Sequence, residues 1–293
     1  MVARLGVSQH GHVKGDTALV TRPRTGYAYL DVGLEQPRSV LAMAHRGGTF
    51  PPEIEGLENT LVAFQHAFDL GYRYLETDVH ATRDGTLLAF HDTVLDRLTE
   101  HRGPVSGLDL AEVAEALISG REQIPTMSSL FEQFPQARFN IDIKSESAVA
   151  PLADLLASAN AYDRVCVGSF SERRMRRFRS LLGREVATAA TPREVATLRF
   201  FPGFPPTRRV VDALITRRVA ALQVPHRRGP LRVVTPGLVA AAHARKMHVH
   251  VWTVDEPGEM HELLDRGVDG LITDRTDLLR QVLLERGQWL DET

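Results

Sequence analysis

Residues 74–91 read Tyr74-Leu-Glu-Thr-Asp-Val-His-Ala-Thr-Arg-Asp-Gly-Thr-Leu-Leu-Ala-Phe-His91, and their pattern determines how many strand units the chain contains. Two apolar runs, 74–79 and 87–91, flank Asp84-Gly85, a dipeptide favoured in tight turns because both residues tolerate positive φ. The pattern therefore predicts a β-hairpin. The other candidate strands are 40–45, 139–143, 164–169, 186–190, 220–224, 248–254 and 270–273. If the hairpin counts as one unit, eight strand units remain.

Amphipathic stretches separate these strands. The predicted helices are 60–70, 109–118, 126–134, 147–159, 171–182, 208–218, 236–245 and 256–265. Alternation of strand and helix over eight units predicts an α/β fold, a (β/α)8 TIM barrel, with a doubly wound open sheet as the alternative. No glycine-rich G-x-G-x-x-G loop follows the first strand, which disfavours a nucleotide-binding sheet.

The predicted barrel domain covers residues 39–293. Residues 1–38 are polar and lack a period, so we expect an N-terminal extension that wraps on the surface or is partly disordered. Asn59 or Thr60 can cap the helix at 60–70, and Gly71 follows its end.

Composition narrows the class of protein. The chain has 293 residues, 43% of them hydrophobic, which is enough for one large core. Lys+Arg is 35 against Asp+Glu 37, a net charge of -2, so we expect no nucleic-acid partner. The single Cys166 excludes an internal disulfide. Residues 1–20 lack an apolar stretch of signal-peptide length, and no window resembles a membrane span, so we expect a cytoplasmic protein.

Side chains at the carboxyl ends of parallel barrel strands face the active-site mouth. The sequence places these residues there: His45, Glu76, Asp78, Asp142, Lys144 and Trp252. Two-residue alternation puts Glu76 and Asp78 on one face of their strand, and it does the same for Asn140, Asp142 and Lys144. A two-residue turn at Asp84-Gly85 would also place His91 directly across from Asp78, at a Cβ distance of roughly 5 Å.

The chemistry of these groups suits a phosphodiester. The carboxylates of Glu76, Asp78 and Asp142 form an oxygen-rich set for a hard divalent cation, Mg²⁺ or Ca²⁺. Ion pairs at the barrel rim are the structural alternative for these acids. His45 and His91 can divide the proton transfers, one accepting a proton from the attacking hydroxyl and the other protonating the departing alkoxide.

Two cationic side chains complete this set. Arg46 offers a planar fork for phosphate oxygens, and Lys144 offers a point charge. Ion pairs with the nearby acids are the alternative role, and the two roles can coexist.

Short motifs follow one another in order between about residues 40 and 281. They are His45-Arg46-Gly47, Glu58-Asn59-Thr60, Glu76-Thr-Asp78-Val79, Asp84-Gly85 with His91-Asp92, Asn140-Ile-Asp142-Ile-Lys144, Ser169-Phe170, Val251-Trp252-Thr253 and Gly270-Leu-Ile-Thr-Asp274. In order and spacing they resemble the glycerophosphodiester phosphodiesterase family. The resemblance implies a barrel enzyme that hydrolyses glycerophosphodiesters to an alcohol and glycerol 3-phosphate.

The resemblance also implies roles for single residues. His45 and His91 match the family's acid/base pair, Glu76 and Asp78 match its metal ligands, and Arg46 matches its phosphate-binding arginine. The remaining matched positions are Asp142 as a later metal ligand, Lys144 and Trp252 on the substrate, and Glu58 and Asn59 in support. Family enzymes are thought to let the neighbouring glycerol hydroxyl attack first, because an internal nucleophile is already in place.

One residue and one loop depart from the family pattern, and the role of a third region has two interpretations. Asp142 is one methylene shorter than the family's usual glutamate, which puts direct contact with the cation in doubt. The segment Gly48 to Leu57 is longer than the usual loop and puts substrate choice in doubt. Residues 92–138 occupy the place of a small insertion over the mouth, and we expect either a lid for small substrates or a plain helical connection.

Other functions stay open at this point. They are a lysophospholipase D, a catalytically silent barrel that binds phosphorylated ligands, and an amidohydrolase with zinc on His248 and His250. A basic and aromatic surface could also meet an anionic membrane, although a solvated helix face explains the same pattern. It comprises Arg173, Arg174, Arg176, Arg177, Arg179, Phe200–Pro206, Arg208 and Arg209.

Overall fold

The computed structural model describes residues 22–36, 38–183, 186–201, 211–212, 215 and 218–291. Its strands are β1 Leu41–His45, β2 Tyr74–Ala81, β3 Leu87–Ala89, β4 Leu117–Ile118, β5 Glu122–Gln123, β6 Arg138–Ile143, β7 Val165–Gly168, β8 Ala187–Ala189, β9 Val219–Pro225, β10 Arg227–Arg228, β11 Leu231–Arg232, β12 His248–Trp252 and β13 Gly270–Thr273. The α-helices are α1 Leu61–Asp69, α2 Leu110–Val113, α3 Met127–Gln133, α4 Val149–Ser158, α5 Glu172–Leu181, α6 Pro192–Phe200, α7 Pro236–His243, α8 Pro257–Asp265 and α9 Thr276–Glu285.

The main sheet closes into a barrel. Its strand order is β1-β13-β12-β9-β8-β7-β6-β2-β3, and β1 pairs in parallel with both β13 and β2. Eight parallel strands therefore form a ring, with β3 added antiparallel to β2. The predicted (β/α)8 barrel is confirmed, and the open-sheet alternative is wrong.

The predicted hairpin forms, but its register differs by one residue. Val79 pairs with Ala89, and the backbone N–H of Phe90 donates to the carbonyl of Asp78 at 2.9 Å. Asp78 therefore lies opposite Phe90, so the prediction that His91 lies directly across from it is wrong. The turn has three residues instead of two, because Thr82 and Thr86 still bond across it and Gly85 adopts φ +86°.

The helices differ from prediction in a few places. The helix expected at 109–118 ends at Val113 and gives way to β4, and the helix expected at 208–218 lies mostly outside the described residues. Helix α6 was not predicted, although Thr191 and Glu194 form a capping box at its start. Helix α9 was also missed. It begins after Arg275, which makes no side-chain cap, so the usual start signal is absent.

The described part of the N-terminal segment is integral to the barrel. Tyr29 and Leu30 are buried in the cluster that fills the barrel interior, and Tyr74 Oη donates to the Tyr29 carbonyl at 2.7 Å. The guanidinium of Arg22 donates to the carbonyls of Ser39 and Leu30 at 3.0 and 2.9 Å. Residues 22–36 thus differ from the surface extension that we expected, while residues 1–21 lie outside the described residues.

The predicted insertion divides into two parts. Helix α3 packs on the main core through Met127 and Leu130, as a barrel helix does. The part that precedes it surrounds a separate apolar cluster that includes Phe90, Leu95 and Val105. This smaller cluster gives residues 92–126 packing of their own above the hairpin. No helix among the described residues has the length and apolarity needed to cross a membrane.

Candidate active site

The carboxyl ends of the barrel strands enclose a cavity of about 260 Å³. The predicted site residues that line it are His45, Arg46, Glu76, Asp78, His91, Asp142, Lys144 and Trp252. His91 lines the cavity in spite of the changed register, because it lies two residues beyond the end of β3 and outside the pleat alternation. Glu58 and Asn59 lie behind this layer and contact Arg46 and Asp78.

The His45-Arg46-Gly47 turn places two of these groups. Arg46 adopts φ +51°, and its backbone N–H donates to the Glu76 carbonyl at 3.0 Å. Gly47 follows at φ +93°, where a Cβ atom would lie 2.6 Å from the Cβ of Ala63. Only glycine fits this close approach, so the turn is specified by sequence.

Each histidine is held by a carboxylate to which the sequence alone assigned no role. His45 Nδ1 lies 3.0 Å from Asp274 Oδ1, and His91 Nδ1 lies 2.6 Å from Asp92 Oδ1. These contacts leave Nε2 of each ring for a substrate. Burial opposes protonation of His45, but Glu76 and Asp274 outweigh it, so the pKa of His45 is raised.

The acids differ in their partners. Asp78 bonds Lys144 Nζ at 2.9 Å and lies 3.0 Å from Arg46 Nε, and although burial opposes ionisation, these cations lower its pKa. Asp142 Oδ2 lies 2.7 Å from the same Lys144 Nζ, while burial raises the pKa of Asp142. Lys144 therefore lies between the two aspartates, as the ion-pair alternative expected.

Among the described residues, Glu76 differs from the other two acids in having no lysine or arginine side chain in bonding contact. It is 6% exposed, accepts a hydrogen bond from the Arg46 backbone at 3.1 Å, and lies 3.9 Å from His45 Nε2. Burial, and then the charge of Asp78, raise the pKa of Glu76 to about 7. A divalent cation beside Glu76 and Asp78 would offset this cost.

The predicted three-carboxylate set is not assembled around one point. In the described part of the chain, no group of three or more His, Cys, Asp or Glu side chains is arranged to hold a metal ion. The hard oxygen donors of Glu76 and Asp78 fit a cation, and Lys144 engages both Asp78 and Asp142. The metal roles of all three remain predictions.

A chain of ion pairs connects the insertion with the cavity. Arg46 Nη1 donates to Glu58 Oε1 at 3.0 Å, and Arg97 grips Glu58 with two bonds of 2.9 and 2.7 Å. Arg97 also bonds Asp92, the partner of His91. Arg97 thus holds the carboxylates that orient Arg46 and His91. The sequence does not reveal this role, since nothing local distinguishes Arg97 from the neighbouring arginines.

We expect Arg97→Met to lower kcat/KM by about 10- to 100-fold. The variant would no longer hold the carboxylates of Glu58 and Asp92, which orient Arg46 and His91. The measurement is steady-state kinetics on a glycerophosphodiester, with added guanidinium ion as a rescue test. Arg102→Met, at an exposed position of the same insertion, is the control and should stay within about twofold. Wild-type kinetics in Arg97→Met would contradict this role.

His248 and His250 do not form a zinc site at the mouth. Both are buried below the cavity, and His248 Nε2 bonds the Pro23 carbonyl at 2.9 Å. Burial, and then the neighbouring His248, hold the pKa of His250 well below its usual value. The amidohydrolase interpretation therefore has no support in this geometry.

The neutral state of His250 predicts a pH effect on stability. The unfolded chain binds a proton at this residue below about pH 6.5 and the folded chain does not, so stability falls as the pH drops through 6.5. We expect His250→Gln to reduce the slope of unfolding free energy against pH by up to about 1.4 kcal/mol per unit. Denaturant titrations at several pH values measure it, with His101→Gln as the control. Slopes that are equal in wild type and His250→Gln would contradict the prediction.

The arginines of α5 are mostly paired. Arg179 is buried against Glu194 at 3.1 Å, and Arg177 lies 3.1 Å from Glu146. Arg174 donates to the Lys144 carbonyl. Arg179 therefore does not belong to an exposed face, and the pairing of Arg177 favours the solvated-face interpretation for the exposed part of α5. Residues 202–210 of the predicted basic and aromatic surface lie outside the described residues.

Comparison with known proteins agrees with this geometry. A sequence model of the glycerophosphoryl diester phosphodiesterase family matches residues 45–278. The chain belongs to this family. It is 44% identical over 249 residues to Probable glycerophosphodiester phosphodiesterase 2 of Mycobacterium tuberculosis, covering 85% of this chain and 92% of that protein. It is 26% identical over 271 residues to Lysophospholipase D GDPD1 of Homo sapiens, covering 82% and 85%.

Solved structures show the same fold. A glycerophosphodiester phosphodiesterase of Agrobacterium tumefaciens is 25% identical with a TM-score of 0.66, covering 82% of this chain and 99% of that one. A phosphodiesterase of Oleispira antarctica, in complex with the product sn-glycerol-3-phosphate, is 21% identical with a TM-score of 0.68, covering 83% and 96%. Family membership makes this chain a phosphoric diester hydrolase, and it favours an enzyme over the catalytically silent barrel.

Proposed function

We propose that the protein hydrolyses glycerophosphodiesters to an alcohol and glycerol 3-phosphate, with two histidines as acid and base and with Mg²⁺ or Ca²⁺ as cofactor. One observation carries the proposal. His45 and His91 line one cavity, and each is anchored at Nδ1 by its own carboxylate. Two oriented rings with Nε2 available are what a phosphodiester needs for proton transfer on either side of phosphorus.

The first step makes a cyclic phosphate. One histidine accepts the proton of the glycerol hydroxyl next to the phosphate, and that oxygen forms a bond to phosphorus. The bond between phosphorus and the alcohol oxygen breaks, and the second histidine donates its proton to this oxygen. In the second step water opens the ring, giving up its proton as the ester oxygen regains one, and glycerol 3-phosphate results.

The positive groups of the cavity stabilise charge on the phosphate. Arg46 and Lys144 line the cavity and are held by Glu58, Asp78 and Asp142, so they are positioned before substrate arrives. A divalent cation held by Glu76 and Asp78 would add charge neutralisation at the phosphate oxygens. Asp142 then serves mainly to hold Lys144.

Lysophospholipase D activity is the second candidate. It is supported by the 26% identical human relative of that name and by an apolar part of the cavity wall. There Phe170, 59% exposed, lies edge-on to Trp252 at 5.7 Å. A cavity of about 260 Å³ is below the roughly 300–1,000 Å³ of pockets for drug-sized ligands, which favours the smaller glycerophosphodiesters.

The test is a substrate panel with purified protein. Glycerophosphocholine, glycerophosphoethanolamine and lysophosphatidylcholine are assayed with Mg²⁺ and with Ca²⁺ in turn. We expect turnover of the first two with release of glycerol 3-phosphate. Preferential cleavage of lysophosphatidylcholine would favour the second candidate, and no turnover of any compound would contradict both.

A further inference from the structure

Two amide side chains form the floor of the cavity. Asn140 and Gln223 project inward from β6 and β9, and both line the cavity. Gln223 Nε2 donates to Asn140 Oδ1 at 2.7 Å, whereas the return contact from Asn140 Nδ2 to Gln223 Oε1 is long, 3.4 Å. The amide pair therefore has one tight bond and one loose one.

A third side chain, His250, fixes the orientation of the pair. Its Nδ1 lies 3.4 Å from Gln223 Nε2, and the pairing of β12 with β9 places the two residues at the same level. His250 is fully buried, and in the tautomer whose Nδ1 carries no proton it accepts from Gln223 Nε2, which engages the second hydrogen of that amide. Gln223 Oε1 and Asn140 Nδ2 are then the acceptor and donor left over for a ligand.

Small residues leave room above the amides. Gly168 and Ala189 line the same part of the cavity, and a Cβ atom on Gly168 would come within 3.6 Å of Gln223 Oε1. The floor is therefore open to a ligand. A group that donates and accepts at once, which is a hydroxyl, fits between one acceptor and one donor.

We propose that the Asn140–Gln223 pair binds the terminal hydroxyl of the glycerol unit, and that it thereby selects deacylated glycerophosphodiesters. The inference rests on the proposed function. β2 and β6 align Glu76 with Asn140 and Asp78 with Asp142, so the floor lies two residues, about 6.6 Å along the strand, below the level of Asp142. This depth is comparable with the length of a three-carbon glycerol chain whose phosphate lies at the level of Asp142 and Lys144.

The floor has a consequence for lysophospholipids. When an acyl chain is esterified to the terminal oxygen, that oxygen can no longer donate, and the cavity of about 260 Å³ would have to hold the chain as well. The amide groups would lose water without gaining an equivalent partner, which is the costly case for buried polar groups. The structure therefore points to discrimination by a polar floor against acylated substrates.

The test compares two ligands that differ by one hydroxyl. Glycerophosphocholine and 2-hydroxypropyl phosphocholine both keep the hydroxyl next to the phosphate, but only the first has the terminal one. We expect wild-type kcat/KM to favour glycerophosphocholine by about 10- to 100-fold, and Gln223→Met to reduce the ratio to about threefold or less. Gln281→Met, on the exposed face of α9, is the matched control and should keep the wild-type ratio.

Calorimetry supplies a readout that does not need turnover. Wild-type protein should bind glycerol 3-phosphate about 10- to 100-fold more tightly than 2-hydroxypropyl phosphate. Equal affinities, or an unchanged affinity ratio in a folded Gln223→Met variant, would contradict recognition of the terminal hydroxyl by the amide pair, even if the enzyme hydrolyses glycerophosphodiesters. A clear affinity difference in a protein without turnover would instead contradict the proposed function and support recognition of the terminal hydroxyl. If Gln223→Met does not fold, the affinities of the wild-type protein for the two ligands still test whether the terminal hydroxyl is recognised.

Discussion

The His91→Ala variant is expected to lower kcat/KM for glycerophosphocholine by about 10²- to 10⁴-fold, and His45→Ala by a similar factor. Each ring is anchored at Nδ1 by an aspartate, so its loss removes one of the two proton-transfer groups. The double variant should be little worse than either single one, because the two rings act in the same step. Steady-state kinetics measures all three.

Folding has to be checked alongside these variants. His91 is partly exposed and its removal should leave the thermal midpoint close to wild type, whereas His45 is packed against Asp274 and its loss should cost some stability. His101→Ala, in the insertion, is the matched control. A folded His91→Ala enzyme that retains activity within tenfold of wild type would show that His91 is not the acid or base.

Chelation is expected to have the second large effect. Excess EDTA should lower turnover by about 100-fold or more, and Mg²⁺ or Ca²⁺ should restore it, because a cation at Glu76 and Asp78 would offset the charge of the phosphate. Glu76→Gln should show low activity that these ions do not restore at the same concentration. Glu285→Gln, on the surface of α9, is the control.

Two results would contradict the role that we assign to Glu76 and the cation. Glu76 is buried and makes no bonding contact with a cationic side chain among the described residues, which is why we assign the metal role first to this residue. Metal rescue of Glu76→Gln equal to that of wild type would show that Glu76 does not hold the cation, and full turnover in excess chelator would show that no cation is needed. Lys144, between Asp78 and Asp142, would then be the main charge on the phosphate.

The barrel and most of its active residues follow from local sequence patterns. Polar residues within or at the end of apolar runs mark these strands, and this pattern is enough to predict that His45, Glu76 and Asp142 line one cavity, although β2 continues to Ala81. The hairpin is predictable for the same reason. Its register is not, since the choice between a two-residue and a three-residue turn depends on bonds between Thr82 and Thr86 across the loop.

Local sequence patterns do not predict contacts between residues that lie far apart in the chain. Asp274 lies 229 residues from His45 in sequence, and only barrel closure brings them together. Arg97 meets Glu58 across the insertion, and Tyr29 enters the barrel interior from a segment that looks polar. Such contacts depend on the topology of the closed barrel, and periodicity in the sequence does not indicate which distant segments become neighbours.

Hydrolysis by the two histidines can be followed by ³¹P NMR of purified protein with glycerophosphocholine and Mg²⁺ or Ca²⁺. We predict loss of the diester resonance and growth of the sn-glycerol 3-phosphate resonance, with no change in samples of His45→Ala or His91→Ala over the same time. Persistence of the diester with the wild-type protein, or appearance of phosphocholine as the phosphorus product, would contradict it.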